Sequence, residues 1–493
     1  MKTIKYINSI LIILSLVGLF SCELAQDLDD FEPLYALDAD KAITNEATAE
    51  LALAGVYSGF RQRSGGLGNP QLYFIPSIMS GTFVNNVIFN NGTEFQGYAS
   101  NIPISSGART NLGAYTRMYD IVNRANWLIE KVTPLADDNF PTSGRKAEII
   151  AETKALRATA NFYLLRIWGQ FYDLDSQFGI TLRTEPARSA EAFPRNTVAE
   201  VYDAIIADLD EAIASAPDLR AKYFTNKTYA KGLKAKVLLY KGAYAEAATL
   251  AKEVIDNPDS DFDLATTYGS IFLDHTTPDL FNSSEILFGS KGEPQAGLGI
   301  GNYTGASVNP SYVDFASETT TIGNQEIIHD GTRIASTIFD AGFPLGLDTY
   351  KYKTSDAADQ YEMLYHLRMS EIYLIFAEAQ ARSTNSVTTE ALEALNAVRI
   401  RAGATNTGGD GFVTYPETIT LPQFLEAVRI EKYVELGAEM GEEWFDLVRY
   451  HFVDGFDVTT VKASATDPSK YILPIEASTI EAGGNVVAQN PGY

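Results

Sequence analysis

The apolar positions of this chain recur mainly three and four residues apart, a spacing typical of amphipathic helices. The pattern is clearest in the stretch that precedes Gly169, a residue of the type that commonly ends a helix. This stretch contains Leu156, Ala160, Tyr163, Leu164 and Ile167. The same spacing predicts helices over about 46–62, 111–132, 147–168, 197–215, 366–382, 388–401 and 422–449. We therefore expect a mainly α protein.

The segment 228–258 has the pattern of a tetratricopeptide unit, in which two short helices pack antiparallel. Small and apolar residues lead to a turn at Gly242, and Tyr244 and several alanines follow before Pro258. One such unit cannot bury its apolar face alone, so we expect about four helix pairs to stack. Two further pairs are predicted, 147–168 with 197–215 and 366–382 with 388–401.

Long polar and aromatic stretches interrupt the helical pattern at about 63–110, 262–350 and 403–420. Loops of this length in a packed domain usually carry a function or secondary structure of their own. The predicted fold is thus a tetratricopeptide-like scaffold of helix pairs with long irregular loop insertions. We expect binding to take place in the insertions.

The first residues of the chain have the pattern of an export signal. Lys2 and Lys5 precede an apolar run from Ile10 to Phe20, and Ser21 and Cys22 follow. The run is too short to span a bilayer as a helix. Residues 1–21 are therefore predicted to be a signal peptide, and Cys22 is the single cysteine of the chain, so no internal disulfide can form.

Composition and charge exclude several classes of protein. The 493 residues are 45% hydrophobic and 20% charged, which is typical of a globular protein rather than a disordered one. Lys and Arg number 38 and Asp and Glu number 63, so the net charge is −25. A field of this sign repels phosphate backbones, and nucleic acid is not an expected partner.

Searches for catalytic patterns identify no candidate. The four histidines, His275, His329, His366 and His451, have no spacing that would bring two of them together on one helix face as metal ligands. The chain has no nucleophile elbow and no phosphate-binding glycine loop. Paired carboxylates could indicate an α-helical glycosidase, but with 63 acidic residues such pairs arise by chance. We predict no catalytic residue, no metal site and no cofactor.

A set of motifs resembles those of the SusD/RagB family. Members of this family are nutrient-binding outer-membrane lipoproteins of Bacteroidetes. The motifs stand in the order expected for that family and follow a lipobox-like Leu19 to Cys22. They are Tyr115 to Asn126, Glu152 to Gly169, Glu200 to Ala212, the tetratricopeptide unit, Arg368 to Ala379, Leu395 to Gly403, Arg429 to Arg449, Leu473 to Ile475 and Gln489 to Tyr493. The resemblance covers essentially the whole chain from Cys22 onward.

The resemblance implies how the protein is organised and where it is located. After the signal peptide, residues 22–493 would form one SusD-like domain, with an N-terminal part over 22–220, the tetratricopeptide unit over 228–258 and a C-terminal part over 265–493. Cys22 would be acylated, as in lipoproteins, and would anchor the chain in the outer membrane, facing the cell exterior. The implied partners are a glycan ligand and a SusC-like TonB-dependent transporter, to which the captured nutrient is delivered.

Sugar binding needs aromatic ring faces together with amide or carboxylate groups. The three tryptophans, Trp127, Trp168 and Trp444, all lie in predicted helices, so the insertions must supply tyrosine, phenylalanine and asparagine instead. In the family, ligand contacts commonly come from two insertions, and the candidates at these places are Phe83, Asn85, Asn86, Asn90 and Tyr98 in one and Asn302 and Tyr303 in the other.

Two alternatives remain open at this stage. The ligand could be a peptide, as in the RagB branch of the family, or the chain could be a tetratricopeptide adaptor without a nutrient ligand. Charged residues of the helical motifs are expected to form ion pairs and helix-end contacts that hold the fold. They are Arg157, Arg399, Arg401, Glu431, Glu435, Asp446 and Arg449.

Overall fold

The computed structural model describes residues 42–60, 70–85, 92–257, 261–273, 282–291, 306–340, 342, 346–349, 351, 363–406 and 411–493. Its helices in the first half are α1 (Glu46–Gly59), α2 (Pro70–Ser80), α3 (Thr93–Ala99), α4 (Arg109–Val132), α5 (Arg145–Trp168), α6 (Val198–Ser215), α7 (Lys227–Lys241) and α8 (Tyr244–Ile255). Those in the second half are α9 (Ser270–Leu273), α10 (Pro310–Ala316), α11 (Arg333–Thr337), α12 (Met369–Thr384), α13 (Thr389–Arg401), α14 (Leu421–Leu436), α15 (Glu442–Asp454) and α16 (Ala477–Ala482).

Short strands lie between these helices and pair only two at a time, antiparallel. They are β1 (Phe83–Asn85), β2 (Ile286–Lys291), β3 (Ala306–Val308), β4 (Thr319–Ile322), β5 (Gln325–Ile328), β6 (Ile338–Asp340), β7 (Leu347–Thr349) and β8 (Met363–Arg368). The pairs are β1 with β3, β2 with β8, β4 with β5 and β6 with β7. The insertions predicted to be irregular therefore hold short helices and strand pairs, and the mainly helical fold class is confirmed.

The predicted helix pairs are present. Helix α5 packs against α6, α7 against α8, and α12 against α13, while α1 and α4 form a further pair. Local sequence sets where these helices start and stop. Thr197 and Glu200 form a capping box at the start of α6, and Gly242, at φ 82°, ends α7 in the left-handed conformation that glycine tolerates best.

The single helix predicted over 422–449 is wrong, because the structure divides it into α14 and α15. The backbone between them turns through left-handed conformations at Ala438, Met440 and Gly441. A Cβ atom on Gly441 would lie 2.3 Å from a side-chain carbon of Pro76 in α2. Helix periodicity continues across this break, so the apolar pattern alone conceals it.

Buried charges pair between the helices, as predicted. Arg157 on α5 donates to both carboxylate oxygens of Asp208 on α6, at 2.8 and 2.6 Å. Arg449 contacts Glu378 on α12 at 2.6 Å. Burial alone would raise the pKa of Glu378, but Arg449 and its other cationic neighbours hold that pKa well below the usual value. The remaining pairs are Arg399 with Glu431 and Arg401 with Glu435 between helices, and Arg449 with Asp446 within α15.

Candidate ligand-binding surface

Strands β1 and β3 bring together the two insertions in which sequence reasoning placed the ligand. Asn85, the last residue of β1, pairs with Ala306, the first residue of β3. The two strands are antiparallel, so the chain that follows Asn85 and the chain that precedes Ala306 meet the ladder at the same end. The candidates Asn86, Asn90, Asn302 and Tyr303 lie outside the described residues, as does the side chain of Asn85.

Two predicted contact residues are instead part of the hydrophobic core. Phe83 is 6% exposed and Tyr98 is 1% exposed. Their rings are linked through Phe74 and Phe95, with centroids 5.8 to 6.4 Å apart. A sugar stacks on a ring face that solvent can reach, so the assignment of Phe83 and Tyr98 as contacts is corrected: they pack the base of the insertion. On β1, Val84 is the neighbour that faces outward, at 39% exposure.

The insertion is fixed to helix α4 through Glu94. Its Oε1 atom accepts hydrogen bonds from the Tyr98 hydroxyl at 2.6 Å and from the backbone N–H groups of Thr110 and Asn111 at 2.9 and 3.0 Å. These N–H groups belong to the first turn of α4, where a carboxylate is favoured by the helix dipole. Burial and the neighbouring Glu94 raise the pKa of Tyr98 well above its ordinary value, so the phenol stays a donor.

The start of β1 is fixed to helix α15 through a buried carboxyl group. Oε1 of Glu443 accepts from the Thr82 hydroxyl at 2.6 Å and from the Ala438 N–H at 3.2 Å. The Ser80 hydroxyl lies 3.3 Å from the same oxygen. Glu443 is 1% exposed, and burial raises its pKa to about 7. These hydrogen bonds connect the β1–β3 ladder to α15 at the end away from Asn85.

The tryptophans lie in helices, as predicted. Trp168 ends α5 and donates to Asn111 at 2.7 Å, and Trp444 in α15 donates to the carbonyl of Tyr471 at 3.0 Å. Trp127 in α4 is half-buried beneath the cations of Lys131 and Arg188. No tryptophan ring therefore faces solvent freely on the described scaffold.

The histidine at the centre of the fold is structural. His366 on β8 makes hydrogen-bonding contacts with Tyr163 at 3.0 Å and Ser290 at 2.7 Å, and its ring stacks on Phe288. Burial lowers its pKa to about 3, so it is neutral at physiological pH. Over the described ranges, no group of three or more His, Cys, Asp and Glu side chains is arranged to hold a metal ion.

Sequence reasoning missed a cavity of about 350 Å³ beside helix α4. Tyr115 and Tyr119 line it from the helix, with ring centroids 4.9 Å apart. The loop after Thr181 supplies Arg183, whose guanidinium lies 4.1 Å over the ring of Phe193. Phe193 is 40% exposed. Tyr115 and Tyr119 lie one helical turn apart, but the partner loop is distant in sequence, so only the fold reveals the cavity.

Comparisons with known proteins place this fold in one family. A family model described as "SusD family" matches residues 343–493, and another described as "Starch-binding associating with outer membrane" matches residues 38–239. A SusD-like protein of Bacteroides ovatus is 25% identical over 384 residues, which are 69% of this chain and 65% of that protein. The chain thus matches less than two thirds of the length of that relative.

Solved structures of the same family share the fold. A SusD superfamily protein from Bacteroides thetaiotaomicron has a TM-score of 0.69 at 22% identity, covering 91% of this chain and 100% of that one. A laminarin-binding SusD-like protein has a TM-score of 0.67 at 23% identity, with 92% and 100% covered. Two family models match the N-terminal and C-terminal parts of the chain, and solved SusD structures share its fold. The protein belongs to the SusD family.

Among the residues that the structure describes, no helix is both long enough and apolar enough to cross a bilayer.

Proposed function

We propose that this protein captures an oligosaccharide or polysaccharide at the cell surface and delivers it to a SusC-like TonB-dependent transporter. The observation that carries the proposal is the β1–β3 ladder, where Asn85 pairs with Ala306 and joins an insertion rich in asparagine to the one that contains Asn302 and Tyr303. Amide groups next to aromatic rings are the chemistry that sugar hydroxyls and ring faces require. A laminarin-binding SusD-like protein has the same fold and supports a glycan ligand.

The proposed ligand site is Asn85, Asn86, Asn90, Asn302 and Tyr303. In the described part of the insertion, Glu94 contacts α4, and Glu443 holds the residue before β1 against α15. Amide and aromatic side chains bind sugars through hydrogen bonds and ring contacts, without covalent chemistry. The protein is not an enzyme in this proposal.

The anchor and the partner belong to the same proposal. Cys22 would be acylated after removal of residues 1–21, and several acyl chains would hold the protein on the outer membrane facing the exterior. The description of the matching family model, starch binding in association with the outer membrane, supports this location. Mild detergent extraction should recover the protein together with a large barrel protein, and recovery as a lone monomer would count against the transporter partnership.

A glycan array followed by calorimetry on the purified protein tests the ligand. Binding of one glycan class, with chain length unchanged after long incubation, is expected. Release of reducing ends in proportion to protein amount would contradict the non-enzymatic role. Binding of peptides with no glycan bound would favour the RagB-like alternative, and binding of neither would favour an adaptor.

A further inference from the structure

A second cavity, of about 350 Å³, opens between the start of α14 and the end of α15. Its apolar walls come from Leu421, Pro422, Leu425 and Phe456, and Glu426, Arg429, Tyr450 and Asp454 complete the lining. This volume is at the small end of the range for sites that bind small organic molecules. None of the elements that form it belongs to the β1–β3 ladder, so the cavity is separate from the proposed glycan site.

One side of this cavity is formed by a buried arginine, Arg429, whose acidic neighbour Glu426 lies just beyond hydrogen-bond distance. Arg429 is 9% exposed, and its Nη1 atom has no hydrogen-bond partner within the part of the chain that the structure describes. Its Nη2 atom is 3.6 Å from Glu426, whose side chain is 52% exposed. The guanidinium lies 4.1 Å from the ring centroid of Phe456. Burial lowers the pKa of Arg429, which shows that its neighbours compensate the charge poorly.

Other buried arginines nearby have carboxylate oxygens at hydrogen-bond distance. Arg449, one helix away, has both oxygens of Glu378 at 2.6 and 2.8 Å, and Arg333 lies 2.7 Å from Glu435. A buried guanidinium without such a partner is costly, because it has lost its hydration and gained no acceptor. The open space beside Arg429 is where an acceptor could enter.

We propose that this cavity binds a carboxylate carried on an apolar body. The carboxylate would accept hydrogen bonds from Arg429, whose planar guanidinium matches two carboxylate oxygens. The apolar body would lie against Leu421, Leu425 and Phe456.

The charges at the rim favour a single negative charge on the ligand. Glu426 and Asp454 both border the cavity. Asp454 is paired with Arg382 through two hydrogen bonds of 2.9 and 2.6 Å, whereas Glu426 is half exposed. A phosphate group would bring up to two negative charges next to these acids. A monocarboxylate brings a single charge, which balances Arg429 with less repulsion.

The walls argue against an acidic sugar. Leu421, Pro422 and Leu425 offer no side-chain donor or acceptor, so hydroxyl groups of a uronic acid that lie against them would lose their hydration without compensation. A branched aliphatic acid and the C-terminal residue of an apolar peptide share the favoured chemistry. Both present one carboxylate on a hydrocarbon group.

Titration by NMR or calorimetry distinguishes these sources. Isovalerate represents the free acid, N-acetyl-leucine represents a peptide end, and isovaleramide and glucuronate are the controls. We expect isovalerate to bind and Arg429→Gln to weaken its binding at least tenfold. Isovaleramide should bind equally poorly to both proteins. Tighter binding of N-acetyl-leucine would assign the site to peptide ends, and binding of isovalerate alone would assign it to free acids.

Two further variants guard against unfolding as an explanation. Arg124→Gln changes a partly exposed arginine on α4 and should leave isovalerate binding unchanged. Leu425→Asn keeps Arg429 and should weaken isovalerate more than acetate. Equal isovalerate affinity of the wild type and Arg429→Gln would overturn the proposal. So would stronger binding of glucuronate than of isovalerate, or no carboxylate binding up to about 50 mM, a weak-affinity limit. Glycan binding is measured separately, so these outcomes do not bear on the proposed function.

Discussion

The hydroxyl of Thr82 donates a 2.6 Å hydrogen bond to Glu443, which joins the residue before strand β1 to the first turn of α15. The two residues are 361 positions apart in the chain. Because Glu443 is buried, this contact holds the base of the proposed ligand site in a low-dielectric interior. The stability of this part of the structure therefore depends on whether the Glu443 carboxyl group is protonated.

Replacing Glu443 with glutamine should remove a pH dependence of stability. The folded-state pKa of about 7 lies above the ordinary value of 4.5, so the folded protein binds the proton more tightly than the unfolded chain. The stabilisation is complete below pH 4.5 and is lost as the pH rises through 7. A shift of this size corresponds to about 3 kcal/mol.

Thermal unfolding of the wild type and Glu443→Gln from pH 4 to 8 measures this effect. The midpoint of the variant, relative to the wild type, should rise as the pH increases from 4.5 to 7. Glu417→Gln, at an exposed position, is the control and should follow the wild type at every pH. A constant difference between Glu443→Gln and the wild type would show that folding does not raise the pKa of Glu443.

Changes to the two buried rings should affect stability rather than ligand affinity. Phe83→Ala and Tyr98→Ala each remove a ring from the core and should lower the free energy of unfolding by about 3 kcal/mol or more. Tyr98→Phe loses only the hydrogen bond to Glu94 and should cost about 1 kcal/mol. Val84→Ala, on the exposed face of β1, should change stability by less than about 0.5 kcal/mol.

Denaturant unfolding gives these free energies, and calorimetry gives glycan affinity for the variants that fold. If Phe83→Ala weakened glycan binding without loss of stability, the ring would contact the ligand and its assignment to the core would be wrong.

Changes to the proposed contact residues should affect glycan affinity rather than stability. Asn86→Ala, Asn90→Ala and Tyr303→Ala should each weaken glycan binding while the thermal midpoint stays nearly unchanged. Loss of a stacked ring typically costs about 1 to 3 kcal/mol in base-stacking sites, an analogue that corresponds to roughly tenfold to hundredfold in affinity. Asn139→Ala, at an exposed position of another loop, is the matched control. Wild-type affinity in all three variants would place the site elsewhere.

The cavity beside α4 is the competing location for the glycan. If the ligand binds at the β1–β3 ladder, Phe193→Ala should leave glycan affinity within about twofold of the wild type, since a ring without ligand contact contributes no binding energy. Calorimetry with the glycan identified on the array measures this. A loss of tenfold or more would move the site to the loop that carries Arg183 and Phe193.

The lipid anchor is tested by Cys22→Ala. The variant has no thiol to acylate, so it should move from the membrane fraction to the soluble fraction. Fractionation with and without detergent measures the distribution, and Asn139→Ala should remain with the membranes. Unchanged detergent dependence of Cys22→Ala would contradict lipidation.

The helical framework could be predicted from the amino-acid pattern, because helix formation depends on local spacing and capping. The helix over 147–168 is observed as Arg145–Trp168, and the tetratricopeptide segment is observed as two helices that meet at Gly242. The structural role of Arg157 could be predicted as well, since an arginine in an amphipathic helix of this framework finds an acid on its neighbour.

The arrangement of the insertions depends on contacts between segments that are far apart in the chain. Phe83 and Tyr98 lie in a segment whose composition is typical of a binding loop. Their burial depends on the contact of Phe83 with Phe74 and on the link from Tyr98 through Glu94 to α4, which no local pattern encodes. The break between α14 and α15 likewise depends on the close approach of Gly441 to Pro76. The pairing of Asn85 with Ala306 joins segments more than 200 residues apart. Local periodicity predicts the conformation of a segment. The segments that it contacts in space depend on the packing of the whole chain.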